Sequence, residues 1–220
     1  INGMGHAIGY RNFECDNAAR NVMPWGVFIG GEELHNNHHA FPSSARFSMR
    51  RGEFDIGWMW LRLFAAVGLA KVRRVAPRAV VLEPRSSIDL DAVRTLIAAR
   101  MDVLRNYART VTIPVLRAEV GRGATGVSLK LRRLLIRHPK LLDEAARRQL
   151  ECVFDASATL RTVHEFRERL TVLWSGTIGD NDRLIAHLRE WLREAEASGI
   201  EVLQQYARAL SGYRLAGAAS

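Results

Sequence analysis

Hydrophobic positions follow two different rules along this chain. From about residue 89 onward they recur at three- and four-residue spacing, the period of one helix face. Val93, Leu96, Ile97, Met101, Leu104 and Ala108 form the first such stripe, with Asp89 placed to cap it. Thr110-Val111-Thr112-Ile113-Pro114 predicts the end of that helix, because proline lacks the N–H a helix interior needs. The glycines of 121–126 predict a flexible break, and short helices follow over 127–137 and 140–156, divided at His138-Pro139. Further helices are predicted over 160–174 and 182–197, with a turn across 175–181, and Ser198-Gly199 separates a last one that runs through Leu210. Within Glu165–Arg169 and Arg189–Glu194, opposite charges three and four apart read as solvent-facing pairs on amphipathic helices.

Ahead of residue 76 that periodicity is missing, and Gly, His, Asn and Trp dominate. The bulkiest apolar stretch, residues 54–70 (FDIGWMWLRLFAAVGLA), is interrupted by Asp55 and Arg62. No run of about 18 uncharged apolar residues exists, so nothing here is expected to span a bilayer alone. With Trp58 and Trp60 inside it and basic residues on both flanks, the stretch suits a helix lying in a membrane interface. A core helix of a soluble domain fits it equally. Turn residues around Pro77 and Pro84, with extended Val80-Val81-Leu82 between them, mark a boundary. The expected organisation is a first part over 1–78, a linker over 79–88 and an all-helical region over 89–220; the fold class is mostly α, ending in a small helical bundle.

Composition bounds the rest. With 220 residues and 48% hydrophobic content the chain can bury a core in one or two domains. Cys15 and Cys152 have no metal or disulfide spacing and read as free thiols of a reducing compartment. The formal charge of +9 is uneven: residues 46–85 hold nine Arg or Lys against Glu53, Asp55 and Glu83. Such a stretch suits phosphate-bearing partners, the anionic face of a membrane, or simply a solvated surface. The chain opens at Ile1 without a charged segment ahead of an apolar one, so no signal peptide is expected, and its start reads as a cut through a larger protein.

Chemistry concentrates in His35-Asn36-Asn37-His38-His39. Positions i, i+3 and i+4 share a helix face, so one turn aims all three imidazoles together. Asparagine is a poor helix former, so propensity does not explain the segment. Neutral imidazole binds iron, zinc, copper and nickel. Asn2 and His6, four apart, form a second candidate pair, the asparagine acting as a weak ligand directly or through water. Glu32 and Glu33 precede the histidines and are placed to hydrogen-bond imidazole N–H groups. A zinc hydrolase is disfavoured because no Glu stands between the histidines in the H-E-x-x-H manner. The 121–126 glycines lack the Lys-Ser/Thr ending of a phosphate loop, and His164 and His187 are isolated.

Asn2-x-x-x-His6, then Trp25-Gly26, then Gly31-Glu32-Glu33-Leu34-His35-Asn36-Asn37-His38-His39-Ala40-Phe41-Pro42 resembles the final histidine box of the integral-membrane fatty acyl desaturases. The resemblance covers residues 1–78 and includes Gly9–Phe13, Glu53–Trp58 and Gly68–Val72. It implies a transmembrane helical bundle capped by a cytosolic domain holding two Fe. It also implies that His6, His35, His38 and His39 are metal ligands, with Asn2 ligating through water. The earlier histidine boxes and the membrane helices have no counterpart here, so this chain alone is not expected to catalyse. The implied reaction introduces a double bond, of delta-9 type, into an acyl chain using O2 and two electrons. The implied substrate is acyl-CoA or an acyl lipid, and the donor a ferredoxin, rubredoxin or cytochrome b5-like protein. The implied location is the cytoplasmic face of a bacterial inner membrane, with Arg46, Arg50, Arg51, Trp58, Trp60, Arg73 and Arg74 meeting the membrane or the donor. A lipid hydroxylase on the same scaffold is the near alternative.

Residues 160–213 are similar to the carboxy-terminal helical part of certain insertion-sequence transposases. No catalytic carboxylate triad can be assigned there, so a helical accessory module is expected and nucleic acid is not expected as a partner. A helical nucleic-acid-binding, transposase-like chain is the remaining alternative.

Overall fold

The computed structural model describes residues 2–77, 79–81, 90–174 and 181–215, the side chains of residues 2, 79–81, 214 and 215 excepted. Two compact units divide the chain: Ile1–Ala76 with the short segment His138–Leu141, and Pro77–Arg137 with Leu142–Ser220. Helix predominates in the fold, as its periodicity predicts.

The first unit has little regular structure. Helix α1 (Asn2–Ala7) is followed by β1 (Trp25–Gly26), a 3-10 turn (Glu32–Leu34), α2 (His35–Ala40), β2 (Phe54–Asp55) and α3 (Ile56–Ala66). The two short strands pair in parallel, Trp25 opposite Phe54 and Gly26 opposite Asp55. Few apolar side chains are buried here, chiefly Phe13, Leu34 and Phe41. Polar side chains supply the remaining cohesion, with Glu53 at the hub. Its Oε1 accepts from the Tyr10 hydroxyl at 2.8 Å and the Asn12 amide at 2.5 Å. Its Oε2 accepts from the Asn37 amide at 2.8 Å and from the backbone N–H of Met49 and Arg50 at 2.8 and 2.9 Å. Asp55 caps α3 by accepting the Trp58 N–H at 2.9 Å, and its other oxygen takes the Phe47 N–H at 2.6 Å. Gly57 permits the start of α3 to lie against the preceding loop: a Cβ there would stand 2.4 Å from the Gly30 carbonyl oxygen.

The second unit is helical. Helices α4 (Leu90–Ala98) and α5 (Arg100–Tyr107) lead through a π turn (Ala108–Thr112) into α6 (Ile113–Gly121), then come α7 (Arg132–Ile136), α8 (Glu144–Ala156), α9 (Ala158–Leu173), α10 (Asn181–Ala197) and α11 (Glu201–Ser211). β3 (Ala79–Val81) pairs antiparallel with β4 (Tyr213–Leu215). One apolar core joins these helices, with Leu96, Leu116, Leu135, Leu160, Leu170, Leu203 and Trp191 almost fully buried. Each such leucine contributes roughly 1.5–3 kcal/mol by its removal from water. The buried aromatics keep their polar atoms bonded: Tyr107 OH donates to the Val163 carbonyl, Tyr206 OH to that of Val103, and Trp191 Nε1 to that of Phe166, at 2.7, 2.9 and 2.9 Å.

One expected boundary is corrected. The helix does not end at residues 110–114 but continues to Gly121. Proline crowds the carbonyl four residues back and offers no N–H. The π turn, in which the Ile113 N–H reaches the Ala108 carbonyl, widens the helix where Pro114 would otherwise break it. The expected Asp89 cap, the extended position of Leu82 and the turn at 175–180 lie outside the described residues. Among the described residues no helix is long and apolar enough to cross a membrane.

Candidate metal centre

Helix α2 presents two opposite faces, and each has its own task. Asn36 and Asn37 point into the unit and are fully buried. Asn36 Oδ1 accepts the backbone N–H groups of Asn12 and Phe13 at 2.8 and 2.9 Å, and its Nδ2 donates to the carbonyls of Phe13 and Ala19 at 2.9 and 3.1 Å. Asn37 Nδ2 donates to the Phe47 carbonyl and to Glu53, both at 2.8 Å, while its Oδ1 accepts from Asn12 and Asn21 at 2.8 and 3.1 Å. These bonds offset the poor helix propensity of asparagine and fix the rotation of α2 about its axis. His35, His38 and His39 are thereby set on another side.

His35 Nε2 lies 3.2 Å from His6 Nε2 and 3.2 Å from His39 Nε2. One nitrogen from each of these three residues falls within 4.8 Å of the others. Metal–imidazole bonds of roughly 2.0–2.1 Å put tetrahedral ligand nitrogens roughly 3.3 Å apart, so the spacing around His35 fits one first-row cation. Behind His35, Glu32 Oε2 stands 3.3 Å from Nδ1. A carboxylate there accepts a hydrogen bond from Nδ1–H and leaves the Nε2 lone pair facing the other imidazoles, the orientation a ligand histidine needs. Burial, and then the neighbouring His35, His38 and His6, hold His39 below the ordinary histidine range, which favours the neutral, metal-binding form.

Gly5 makes the convergence possible. A Cβ at that position would sit 2.9 Å from His35 Cδ2, so α1 can bring His6 beside α2 only without a side chain there. Asn17 Nδ2 lies 3.1 Å from His39 Nδ1 and holds that ring. Arg11 ties down the segment carrying Asn17, donating to the carbonyls of Asn17, Ala19 and Cys15 at 2.8, 3.0 and 3.1 Å. Sequence reasoning missed Gly5, Asn17, Arg11 and Glu53. The glycine beside His6 was the available signal, being an unfavourable choice inside a helix unless close approach requires it.

The other expected site residues fall elsewhere. His38 is outside the three-histidine group: its ring lies parallel to His35 with centroids 6.2 Å apart and edge-on to Phe47 at 4.7 Å. Its Nδ1 is 3.6 Å from Glu32 Oε1. Glu33 bonds elsewhere: its Oε1 accepts the backbone N–H of Phe28 and Ile29 at 2.5 and 3.1 Å and so shapes the loop before the 3-10 turn. Consecutive residues cannot share a helical face, so only one of the two glutamates can back His35. Asn2 lies one turn before His6 on α1, and its side chain lies outside the described residues. Arg50 packs its guanidinium 4.8 Å over the Phe13 ring, whereas Arg51, Arg73 and Arg74 are exposed and Arg46 is half-buried. Trp58 is half-buried and Trp60 exposed.

Comparison with known proteins divides the chain. Delta-9 acyl-lipid desaturase 2 of Arabidopsis thaliana is 44% identical over 70 residues, which is 32% of this chain and 23% of that protein. The sn-2 palmitoyl-lipid 9-desaturase of Nostoc sp. (strain 36) is 38% identical over 71 residues, 32% of this chain and 25% of that protein. The sn-1 stearoyl-lipid 9-desaturase of Anabaena variabilis is 36% identical over 78 residues, 36% of this chain and 29% of that protein. The chain thus spans about a quarter of the length of these relatives. A family profile described as Transposase matches residues 90–216. No solved structure matches.

Proposed function

We propose, for a chain that belongs to the transposase family through its residues 90–216, that its metal chemistry resides in the other unit, as the terminal part of a membrane acyl-lipid desaturase. The observation that carries this reading is the meeting of His6, His35 and His39 through their Nε2 atoms, with Glu32 behind His35. His6, His35 and His39 are the ligands this unit contributes to a centre of two Fe, and His38 and Asn2 join them where further donors complete the site. Iron, when bound, supplies the O2-derived oxidising power needed to remove two hydrogens from unactivated methylenes. The work of this chain is to fix the imidazoles: Glu32 accepts a hydrogen bond from His35 Nδ1–H, Asn17 holds His39, and the Asn36–Asn37 face locks α2. The delta-9 position and an acyl-lipid rather than acyl-CoA substrate are taken from the names of the relatives; an electron donor docking from solution and a place at a membrane's cytoplasmic face belong to the same proposal. Hydroxylation on the same scaffold differs only in how the substrate radical is resolved.

Two measurements test it. Cobalt(II) titration of the 220-residue chain is expected to give the d–d absorption of a nitrogen-ligated ion, lost in His35→Ala. For the reaction, acyl chains are analysed from cells producing the full-length protein that contains this chain. His35→Ala is expected to abolish the new double bond, and unchanged unsaturation would remove the reading.

A second reading concerns the transposase-family unit alone. Arg109, Arg117, Arg122, Lys130, Arg132, Arg133, Arg137, Arg147 and Arg148 are all exposed, against Glu119, Asp143 and Glu144 in the same stretch. Such a surface suits polynucleotide phosphate. Among the described residues no three carboxylates converge as a cation site, so strand cleavage is not part of the proposal. Duplex DNA affinity that falls steeply with salt, and falls further in Arg132→Ala/Arg133→Ala, is the expected result; salt-independent affinity would remove it.

A further inference from the structure

His35 and His39 have opposite partners behind their rings. His35 has an acceptor, with Glu32 Oε2 at 3.3 Å from Nδ1. His39 has a donor, the Asn17 amide nitrogen, at 3.1 Å from Nδ1. The surroundings fix which end of that amide faces the ring. Asn17 Oδ1 accepts the Ala19 N–H at 3.1 Å, and Nδ2 lies 3.5 Å from the Asp16 carboxylate. A histidine that binds a metal through Nε2 carries its proton on Nδ1 and donates it to an acceptor. Glu32 meets that requirement for His35. Asn17, as it stands, contradicts it for His39.

A donor aimed at Nδ1 leaves room for no proton there, so the one proton of neutral His39 sits on Nε2. That N–H points at His35 Nε2, 3.2 Å away, whose lone pair can accept it because the His35 proton faces Glu32. The bonds run in one direction: Asn17 donates to His39, His39 to His35, and His35 to Glu32. We propose that Asn17 is a two-position latch on His39. With Nδ2 facing the ring, the proton on Nε2 blocks a cation. With the amide turned over, Oδ1 accepts from Nδ1–H and Nε2 is free to bind. The change is balanced: Nε2 gives its proton to solvent, Nδ1 takes one from solvent, and the ring is neutral in both positions. It costs the Ala19 N–H bond, which the turned amide no longer accepts. Asn17 is thus a positioning residue that makes metal capture depend on a local rearrangement. The latch rests on the reading of His39 as an Nε2 ligand, whereas the tautomer belongs to the chain without metal.

Long-range proton–nitrogen NMR of the 220-residue chain, treated with chelator, tells a protonated ring nitrogen from a bare one. His39 is expected to show a bare Nδ1 and a protonated Nε2, and His35 the reverse. A proton on Nδ1 of His39 overturns the latch. Asn17→Asp supplies a fixed acceptor, while its second oxygen still takes the Ala19 N–H. This variant is expected to move the His39 proton to Nδ1 and to raise zinc affinity about tenfold. In Asp16→Asn/Asn17→Asp the local charge is that of the parent, and the gain is expected to persist. A gain that disappears in the double variant is an effect of charge alone and overturns the latch, as does an affinity that stays unchanged in Asn17→Asp. On zinc loading, the Ala19 amide should lose protection from exchange in the parent and keep it in Asn17→Asp. A chain with the assigned tautomer that binds no zinc in either form refutes the ligand reading and the latch together. A chain with the reverse tautomer that binds zinc refutes the latch alone.

Discussion

Gly5 and Glu53 bear constraints that their neighbours cannot take over. At Gly5 two effects of one substitution oppose each other. Alanine is the better helix former by about 1 kcal/mol, so Gly5→Ala taken alone favours α1. The added Cβ meets the His35 ring at 2.9 Å, however, and pushes His6 and His35 out of register. Gly5→Ala is expected to weaken cobalt(II) binding about tenfold or more without lowering the melting temperature; undiminished affinity would mean that the ring yields freely. Glu53 takes five donors, and an amide in its place offers one accepting atom where the carboxylate offers two. Glu53→Gln therefore leaves donors unmatched, and hydrogen exchange should show the first unit destabilised by about 2–4 kcal/mol. Both residues lie beside motifs visible in the sequence, yet Gly5 meets a ring 30 positions away, and three of the five Glu53 donors come from 16 to 43 positions away.

Helices differ in how much of them was legible. The stripe from Val93 to Ala108, expected as one helix, is divided at Ala99 into α4 and α5, whereas the later amphipathic runs translate directly into α8, α9, α10 and α11, because burial on one face needs only local periodicity. Pro114 was misleading: a proline break is a local rule, but packing around the π turn, whose Val111 and Thr112 are buried, keeps the helix running. Helix α9 carries a pH dependence that its sequence does not announce. His164 lies against the Phe154 ring at 4.9 Å, and burial, then the Arg167 charge, lower its pKa to about 4. The folded state thus resists the proton that the unfolded chain accepts near 6.5. Stability is fully present above 6.5, falls as the pH drops from 6.5 to 4, and is flat below that. The loss attached to this group is about 3 kcal/mol. Urea unfolding of the chain at pH 7, 5.5 and 4 should show it, and His164→Gln should remove most of the slope.

At the scale of the molecule, two units obey different physics: one is held by an apolar core, the other by buried amides and a carboxylate around a histidine cluster. A cation at about one hundred times its Kd adds about 2.7 kcal/mol to whatever contains its site. Zinc or cobalt should therefore slow amide exchange across α2 about 100-fold and leave α9 unchanged; equal protection of both would show the units to be energetically one. Sequence by itself determined the helical character of residues 90–211, the candidate metal chemistry of the His35–His39 turn and the basic, acid-free stretch after Ile56. Each of these depends on residue type and on neighbours within a turn or two. Only tertiary structure decided that His6 meets His35 across 29 positions while His38 stands aside, that Glu32 and not Glu33 backs the site, and that the face of α3 opposite Leu61 is left open. Those outcomes follow from Gly5, Asn36 and Asn37 joining segments far apart in the chain, and no period along the sequence encodes which distant partner a side chain meets.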